Sequence, residues 1–155
     1  MPQIRKGGKY VFGWSIIRND FSIQFPIDAI NEYDICSEGK VFLMTGSKTT
    51  GGFAVSKKAL LEKSIFNNIF TEYNDLRNYK TKEGDFLQYK GRKYTWVTIN
   101  NDGKIFLDKD ILKNLSLNID DKLLSIRSSN IAFMMGIKGP LINEANNYNG
   151  KINIY

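Results

Sequence analysis

The sequence of 155 residues predicts a mainly β protein, an α+β chain with short helices, built from two copies of one unit. Short runs of β-branched and aromatic residues are separated by Asn and Asp, a pattern typical of strands joined by hairpins. The chain also repeats itself, because residues 14–44 align without a gap on residues 96–126. Seven of these 31 positions are identical, against roughly two expected by chance. A duplicated unit therefore sets the predicted architecture.

The identical positions recur at a constant offset of 82 residues. Both tryptophans belong to this set, since Trp14 aligns with Trp96. We expect these two residues to be structural and close to the axis that relates the units, rather than a surface on which bases stack. The other identical pairs are Ile17 with Ile99, Asn19 with Asn101, Asp20 with Asp102, Ile23 with Ile105, Asp28 with Asp110 and Lys40 with Lys122.

Each unit is predicted to contain two strands, a short helix and two further strands, in that order. Residues 10–17 and 94–99 favour strands, and an Asn-Asp turn follows each of them. Residues 22–25 and 104–107 are predicted to form the second strand of each hairpin. A helix comes next, because Pro26 suits a first helical turn and aspartates suit the positive end of the equivalent helix. The closing hairpins are predicted over residues 40–44 and 53–55 in the first unit, and 122–126 and 131–137 in the second.

The segment between the units is predicted to be a connecting helix followed by a loop. Ser56 is a candidate cap, and apolar residues from Leu60 to Ile69 recur on one helical face. After Gly139 and Pro140 we expect a shorter helix, and then either a disordered tail or a final strand. The predicted organisation is one compact domain over residues 1–155, with a first unit at 10–55, a connector at 56–92, a second unit at 93–137 and a C-terminal helix and tail at 138–155.

Composition excludes several classes of function. The chain has one cysteine, Cys36, and no histidine, so it lacks the residues for a Cys/His or Ser/His relay and for a zinc site of His and Cys. Its carboxylates have no nucleophile or oxyanion feature beside them, so we expect neither enzymatic activity nor a cofactor. No apolar run approaches the roughly 20 residues that cross a bilayer, which predicts a cytoplasmic protein without a membrane partner.

The net charge of +6 is unevenly distributed. Residues 1–10 and the connector each carry +3, whereas the first unit, residues 11–55, carries −2. This pattern allows a polyanionic partner without requiring one.

Residues 103–135 contain three motifs, Gly103-Lys104-Ile105-Phe106-Leu107, Leu115-Ser116-Leu117 and Asp121-Lys122-Leu123. With these motifs the segment resembles the AbrB/SpoVT/MazE family of swapped-hairpin DNA-binding domains. The first unit resembles the family more faintly, through Ile23-Gln24-Phe25-Pro26 and through Ile35 followed by Glu38-Gly39-Lys40-Val41. Together the two matches cover about half of the chain.

The resemblance implies a two-repeat swapped-hairpin or cradle-loop-type barrel, completed within one chain or between chains of a homo-oligomer. It also implies a transcription regulator that binds double-stranded DNA. The matching positions of the first unit hold Ser22, Ile27 and Asn31 in place of basic residues. The implied DNA-binding residues are Lys104, Lys109 and Lys113, joined by Arg5, Lys6 and Lys9 of the N-terminal arm.

Other interpretations of the basic residues remain open. The lysines are equally explained as solvated residues that flank a barrel, and Lys90, Arg92 and Lys93 among aromatic residues are typical either of single-strand binding or of a core strand. The acidic first unit favours an alternative, a protein-interaction or ligand-sensing barrel that no longer binds DNA. A third interpretation is a related barrel with enzymatic activity. A contiguous positive face would favour DNA, an exposed apolar patch a protein, and a deep polar pocket a ligand.

Overall fold

The computed structural model describes residue 3 and residues 8–155. This part of the chain contains nine strands and six short helices, and the predicted mainly β class is confirmed. The first five elements are β1 (Val11–Ile16), β2 (Ser22–Gln24), α1 (Ile27–Tyr33), β3 (Lys40–Thr45) and β4 (Phe53–Ser56). Next come α2 (Lys58–Glu62), α3 (Asn67–Glu72), α4 (Asn74–Arg77) and β5 (Leu87–Tyr89). The last six are β6 (Arg92–Thr98), β7 (Lys104–Phe106), α5 (Lys109–Leu115), β8 (Lys122–Arg127), β9 (Phe133–Gly136) and α6 (Pro140–Asn146).

Strands from the two halves of the chain interleave. The main sheet has seven antiparallel strands in the order β1-β8-β9-β4-β3-β6-β5, and β2 pairs with β7 in a second, two-stranded sheet. Strand β1 therefore pairs with β8, β6 pairs with β3, and β4 pairs with β9. Each of these pairs joins a strand that precedes residue 57 to a strand that follows residue 91.

The pair of β1 with β8 has the same register as the pair of β6 with β3. Trp14 lies opposite Leu124, and Trp96 lies opposite Phe42, which are the positions reached by a shift of 82 residues in each strand. In the small sheet Ile23 lies opposite its own counterpart, Ile105. Exchanging the two halves therefore maps these strand pairs onto one another.

Local hydrogen bonds stabilise the turns that follow β1 and β6, but the hairpins expected at these turns are not formed, because β2 pairs with β7 and neither pairs with the strand before it. Asp20 Oδ1 accepts hydrogen bonds from the backbone N–H and the hydroxyl of Ser22, at 3.0 and 2.6 Å. Asn100 Oδ1 accepts from the N–H groups of Asp102 and Lys104 in the second turn, each at 3.0 Å. These contacts are what short polar side chains provide in turns, as expected from the sequence. Gly103 has φ +83°, and a Cβ at this position would collide with Ile30.

Helices α1 and α5 have seven residues each and end alike. Asp108 caps α5 by accepting a hydrogen bond from the N–H of Ile111 at 2.9 Å. The helices end on residues in the left-handed region, Asp34 at φ 49° and Ser116 at φ 56°. The end of α1 is held by the buried Lys57, whose Nζ donates to the Asp34 carbonyl at 3.0 Å and to Ser37 Oγ at 2.9 Å.

The core consists of one inner and two outer clusters. The inner cluster fills the space between the main sheet, the small sheet, α1 and α5, and includes an edge-to-face contact of Phe25 with Phe133 at 5.3 Å. The first outer cluster lies under α2, α3 and α4. The second lies under α6 and contains Trp14, Leu124 and Ile126.

The prediction of one connecting helix is wrong. The segment forms three short helices and strand β5 instead, and α2 ends at Glu62. The Ser64 hydroxyl donates to the Leu61 carbonyl at 2.8 Å and accepts from the N–H of Phe66 at 3.1 Å, so side-chain bonds compete with helix continuation here. Ser56 is not a cap, because it lies in β4 and donates to the Ile131 carbonyl at 2.6 Å.

The C-terminal residues cover the free edge of β1. Trp14 N donates to the Asn153 carbonyl and Tyr155 N donates to the Trp14 carbonyl, both at 2.8 Å, around a single parallel bridge at Ile154. The expected position of the tryptophans near an axis is wrong. Trp14 lies on the end strand β1 and packs in the second outer cluster, whereas Trp96 packs against the first outer cluster. Side-chain alternation points both rings to the outer face of the sheet.

Candidate nucleic-acid interface

Two lysines of α5 lie together on an exposed helix face. Lys109 and Lys113 are one turn apart, a spacing that puts both on one side of a helix. They line the same surface depression, together with Ser116 and Asn118. Neither ammonium group forms an ion pair with an acidic residue in the part of the chain that the structure describes. Both charges are therefore available to a polyanion.

A third lysine extends this face from the sheet. Lys93 of β6 donates from Nζ to Asn114 Oδ1 of α5 at 3.3 Å. It lines a second depression with Lys113, where Asp85 and Asp110 also lie. We call Lys93, Lys109 and Lys113 the α5 lysine face. The sequence placed Lys93 among aromatic residues, and only the fold of β6 beside α5 brings it to this helix.

Lys104 lies outside the α5 lysine face. It is half-buried at the start of β7, opposite Gln24. Hydrogen bonds from Ser22 lower the pKa of Asp20, and the charge of Lys104 makes a smaller contribution in the same direction. Lys104 therefore interacts weakly with the Asp20 carboxylate and forms no ion pair with it.

The basic arm is not grouped with α5. Arg5 and Lys6 lie outside the described residues. Lys9 is exposed and lines a cavity beside α6 that Lys138 also lines, whereas Lys109 and Lys113 line depressions around α5. The six DNA-binding positions expected from the sequence are thus not brought together as one set in the described part of the chain.

The corresponding surface of the first half carries no lysine at the equivalent positions. Ile27, the counterpart of Lys109, is 57% exposed on α1, and Asn31, the counterpart of Lys113, is also exposed. Glu32 on the same helix forms an ion pair with Arg127. The candidate interface is therefore one-sided, built on α5 and not on α1.

The second basic and aromatic cluster of the sequence divides into two parts. Trp96 is a packing residue, because its Nε1 donates to the Thr81 carbonyl at 3.0 Å and its ring contacts Tyr79 edge to face. Tyr89 instead lines a surface cavity of about 240 Å³ with Ile65, which is 80% exposed, and with Arg92. This second part is an apolar surface with a basic rim.

Three further observations concern metal ions, the cysteine and membrane-spanning helices. No three of the His, Cys, Asp and Glu side chains there lie close enough together to hold a metal ion. Burial raises the pKa of the Cys36 thiol, which makes its reactive thiolate scarcer. No helix in the described ranges is both long enough and apolar enough to cross a membrane.

Comparison with known proteins yields no assignment. No protein-family model matches the chain. The curated proteins likewise contain no significant sequence match. Any functional interpretation therefore rests on the residues and their geometry.

Proposed function

We propose that the chain is a non-catalytic, DNA-binding transcription regulator of the AbrB/SpoVT kind, which contacts duplex DNA through the α5 lysine face. The observation that carries the proposal is the exposure of Lys109 and Lys113 one helical turn apart, without an ion-pair partner in the described part of the chain. Lysine ammonium groups on one face can reach successive phosphates of one strand. The role implies a cytoplasmic location with access to the chromosome.

The strand pairing supports the architecture that the sequence resemblance implies. In the proposed arrangement each half is a swapped hairpin unit, and the two units form one cradle-loop-type barrel within a single chain. The reciprocal pairs β1 with β8 and β6 with β3, in equivalent registers, are what such an exchange requires. A pair between β2 and β7, centred on Ile23 and Ile105, joins the two units at their middle.

Binding through point charges sets the expected character of the complex. Lys93, Lys109 and Lys113 offer ammonium groups but no planar guanidinium, so they would position the protein on the backbone rather than read bases. Three neutralised phosphates correspond to a slope of roughly −3 in a plot of log affinity against log salt concentration. The absence of lysine at Ile27 and Asn31 limits contact to one half of the molecule.

The test is fluorescence anisotropy with mixed genomic duplex fragments at several salt concentrations. The principal variant is Lys109→Gln/Lys113→Gln, which removes two charges from exposed positions. Its matched control is Lys48→Gln/Lys151→Gln, which removes two exposed charges away from α5. A Lys104→Ala/Lys113→Ala variant, which also lacks Lys113, compares the contribution of Lys104 with that of Lys109. We expect the principal variant to reduce both the affinity and the salt slope, and the control to resemble the wild-type protein.

Two results would argue against this function. One is an absence of binding at low salt, since nonspecific electrostatic affinity is strongest there. The other is an equal loss of affinity in the principal variant and its control, which would mean that total charge, and not the α5 lysine face, determines binding.

A second candidate function is protein binding, and the surface around Ile65 favours it. Ile65 is 80% exposed on the segment between α2 and α3, and it borders the cavity that Tyr89 and Arg92 also line. An exposed apolar side chain with cations beside it suits a partner that presents apolar residues among acidic ones.

A photo-crosslinking residue at position 65 tests this candidate in cells. The matched control carries the same residue at the exposed Thr71 of α3. Protein binding predicts a discrete adduct at position 65 that is missing at position 71. Equal labelling at both positions would exclude a specific partner on this surface.

A further inference from the structure

A cavity of about 250 Å³ lies between α6, the strands β8 and β9, and the loop that joins β3 to β4. Most of its wall is apolar, because Ile126, Met134, Leu141 and Ile142 line it. Its polar residues include Lys9 and Lys138, together with Thr50 and Ser128. The cavity thus combines an apolar interior with two cationic side chains.

The first half of the chain provides an internal comparison for this cavity. Ile126 lies opposite Met134 in the pair of β8 and β9, and its counterpart Met44 lies opposite Ala54 in the pair of β3 and β4. Met44 and Ala54 are 2% and 5% exposed. Helices α2, α3 and α4 cover them with side chains that are themselves buried, such as Phe70. The second half has one seven-residue helix, α6, in the corresponding place. Met134 of β9 and Leu141 and Ile142 of α6 are half-buried. Three helices thus fill the space over the strands of the first half, whereas the single helix α6 leaves part of the equivalent space open as this cavity.

Backbone hydrogen bonds fix the position of Lys138 at the cavity. The N–H groups of Ile137 and Lys138 both donate to the Thr50 carbonyl, at 2.9 and 3.1 Å, so Lys138 is held beside the β3–β4 loop. The stem of Lys138 also packs at Gly51, where a Cβ would lie 3.6 Å from its Cε. Lys9 and Lys138 are exposed and form no ion pair with a carboxylate among the described residues. Their charges have no internal counterpart there.

We propose that this cavity binds a small monocarboxylate with an apolar body, such as a medium-chain fatty acid. The carboxylate interacts with the ammonium groups of Lys138 and Lys9, and the hydrocarbon body packs against Ile126, Met134 and Leu141. One carboxylate can interact with both ammonium groups. A second charged group on the body of the ligand would instead lie unpaired against the apolar wall. The cavity is smaller than the roughly 300–1,000 Å³ of most drug-sized ligand sites, which restricts the occupant to a small molecule. The proposal does not depend on DNA binding, because it uses a different surface.

Isothermal titration calorimetry of the full chain with octanoate tests the proposal. Acetate supplies the carboxylate without the apolar body, and octan-1-ol supplies the apolar body without the charge. Lys138→Gln removes one cation from an exposed position, and Lys48→Gln, an exposed lysine in the β3–β4 loop, is its matched control. Gly136→Leu fills the cavity, since a Cβ at Gly136 meets Thr50 and Ile126 only at ordinary contact distances of 3.9 to 4.0 Å. Thermal unfolding of each variant establishes that it folds.

The expected result is saturable binding of octanoate, with acetate and octan-1-ol each weaker by at least about tenfold. Lys138→Gln should weaken octanoate binding by about tenfold, and Lys48→Gln should leave it unchanged. A lack of saturable binding to the wild-type protein would overturn the proposal. So would octan-1-ol binding as tightly as octanoate, or octanoate affinity that the folded Lys138→Gln variant leaves unaltered. If Gly136→Leu does not fold, the Lys138→Gln and Lys48→Gln pair still decides the question.

Discussion

The ammonium group of Lys122 lies 4.3 Å from the centroid of the Trp14 ring, across the pair formed by β8 and β1. The equivalent residues of the other pair, Lys40 on β3 and Trp96 on β6, make the same kind of contact at 5.5 Å. A cation near an aromatic face is attracted by the quadrupole of the ring. Each contact joins a strand of one half of the chain to a strand of the other.

Lys122→Ala is expected to lower the free energy of unfolding by about 0.5–1 kcal/mol, because it removes a cation from the Trp14 ring at an exposed site. Lys40→Ala should cost more, since Lys40 Nζ also lies 4.7 Å from the centroid of the Tyr79 ring. Urea unfolding monitored by tryptophan fluorescence measures both changes. Lys151→Ala, at another exposed lysine, is the control, and an equal loss in that variant would contradict the assignment.

Lys57→Met is expected to lower the free energy of unfolding by about 2–3 kcal/mol, because it leaves the Asp34 carbonyl and Ser37 without their buried donor. The comparison variant is Asp34→Asn, which removes only the charge of a side chain that is 78% exposed. That change should cost less than about 1 kcal/mol, as exposed ion pairs do. Chemical unfolding of both variants separates the carbonyl contact from the ion pair. Equal losses would mean that the ion pair is the important interaction.

Stability is expected to fall in alkaline solution through Tyr33. Burial raises the pKa of the Tyr33 phenol from 10.0 to about 12, and its hydroxyl donates to the Ser129 carbonyl at 2.5 Å. Between these two values the unfolded chain has lost the proton that the folded chain keeps, so raising the pH favours unfolding. The stabilisation is complete below about pH 10 and is lost as the pH rises through about 12.

Tyr33→Phe provides the check on the alkaline prediction. The variant should be less stable at neutral pH by about 1 kcal/mol, through loss of the hydrogen bond. Its stability should then decline less steeply in alkaline solution than that of the wild-type protein. Unfolding curves across this pH range measure the difference, and parallel declines in the two proteins would contradict the role of Tyr33.

Gly103→Ala is expected to be more damaging than Gly39→Ala. Both glycines have positive φ, at +83° and +70°, but only a Cβ at Gly103 would collide with Ile30. Gly39→Ala should therefore cost about 1 kcal/mol of backbone strain, and Gly103→Ala this amount plus the cost of displacing Ile30. Thermal unfolding of both variants, and of Gly103→Ala/Ile30→Val, tests the difference. Partial recovery in the double variant is expected, because valine lacks the Cδ1 that the added Cβ meets but keeps a γ carbon 2.8 Å from it.

The features that could be predicted from the sequence are those set by local chemistry. The turns at Asp20 and Asn100 rest on hydrogen bonds that span at most four residues, so their positions could be expected from the sequence. In the second turn the accepting side chain is Asn100 and not the expected Asn101. The short helices α1 and α5 were likewise expected, because a proline or an aspartate cap precedes each of them. Alternating apolar residues then predicted strands on either side.

The connector and the tryptophans could not be predicted in this way. The spacing of the apolar residues in the connector suited a continuous helix. The two hydrogen bonds of Ser64 explain why the helix is interrupted. Trp14 aligns with Trp96 in the sequence repeat, but the repeat does not indicate that their strands lie toward opposite ends of the sheet. That distance depends on strand order, which local propensity does not determine.

The candidate interface was predicted only in part. Lys109 and Lys113 share a face because the helical repeat puts them there, and this could be expected from their spacing. Lys93 joins them through the tertiary contact with Asn114, which no local pattern indicates. The weak interaction of Lys104 with Asp20 was not anticipated either, because the two residues belong to different halves of the chain.

The interleaved strand order affects how the chain can fold as it is synthesised. The partner of β1 is β8, which leaves the ribosome about a hundred residues later, and β3 must likewise wait for β6. Contacts this distant in sequence slow folding, and unpaired strand edges invite association with other chains. Until its second half emerges, the nascent chain can form the hairpin of β3 and β4, whereas β1 and β2 have no partner strand. These open edges are therefore exposed to chaperones and to other chains during synthesis.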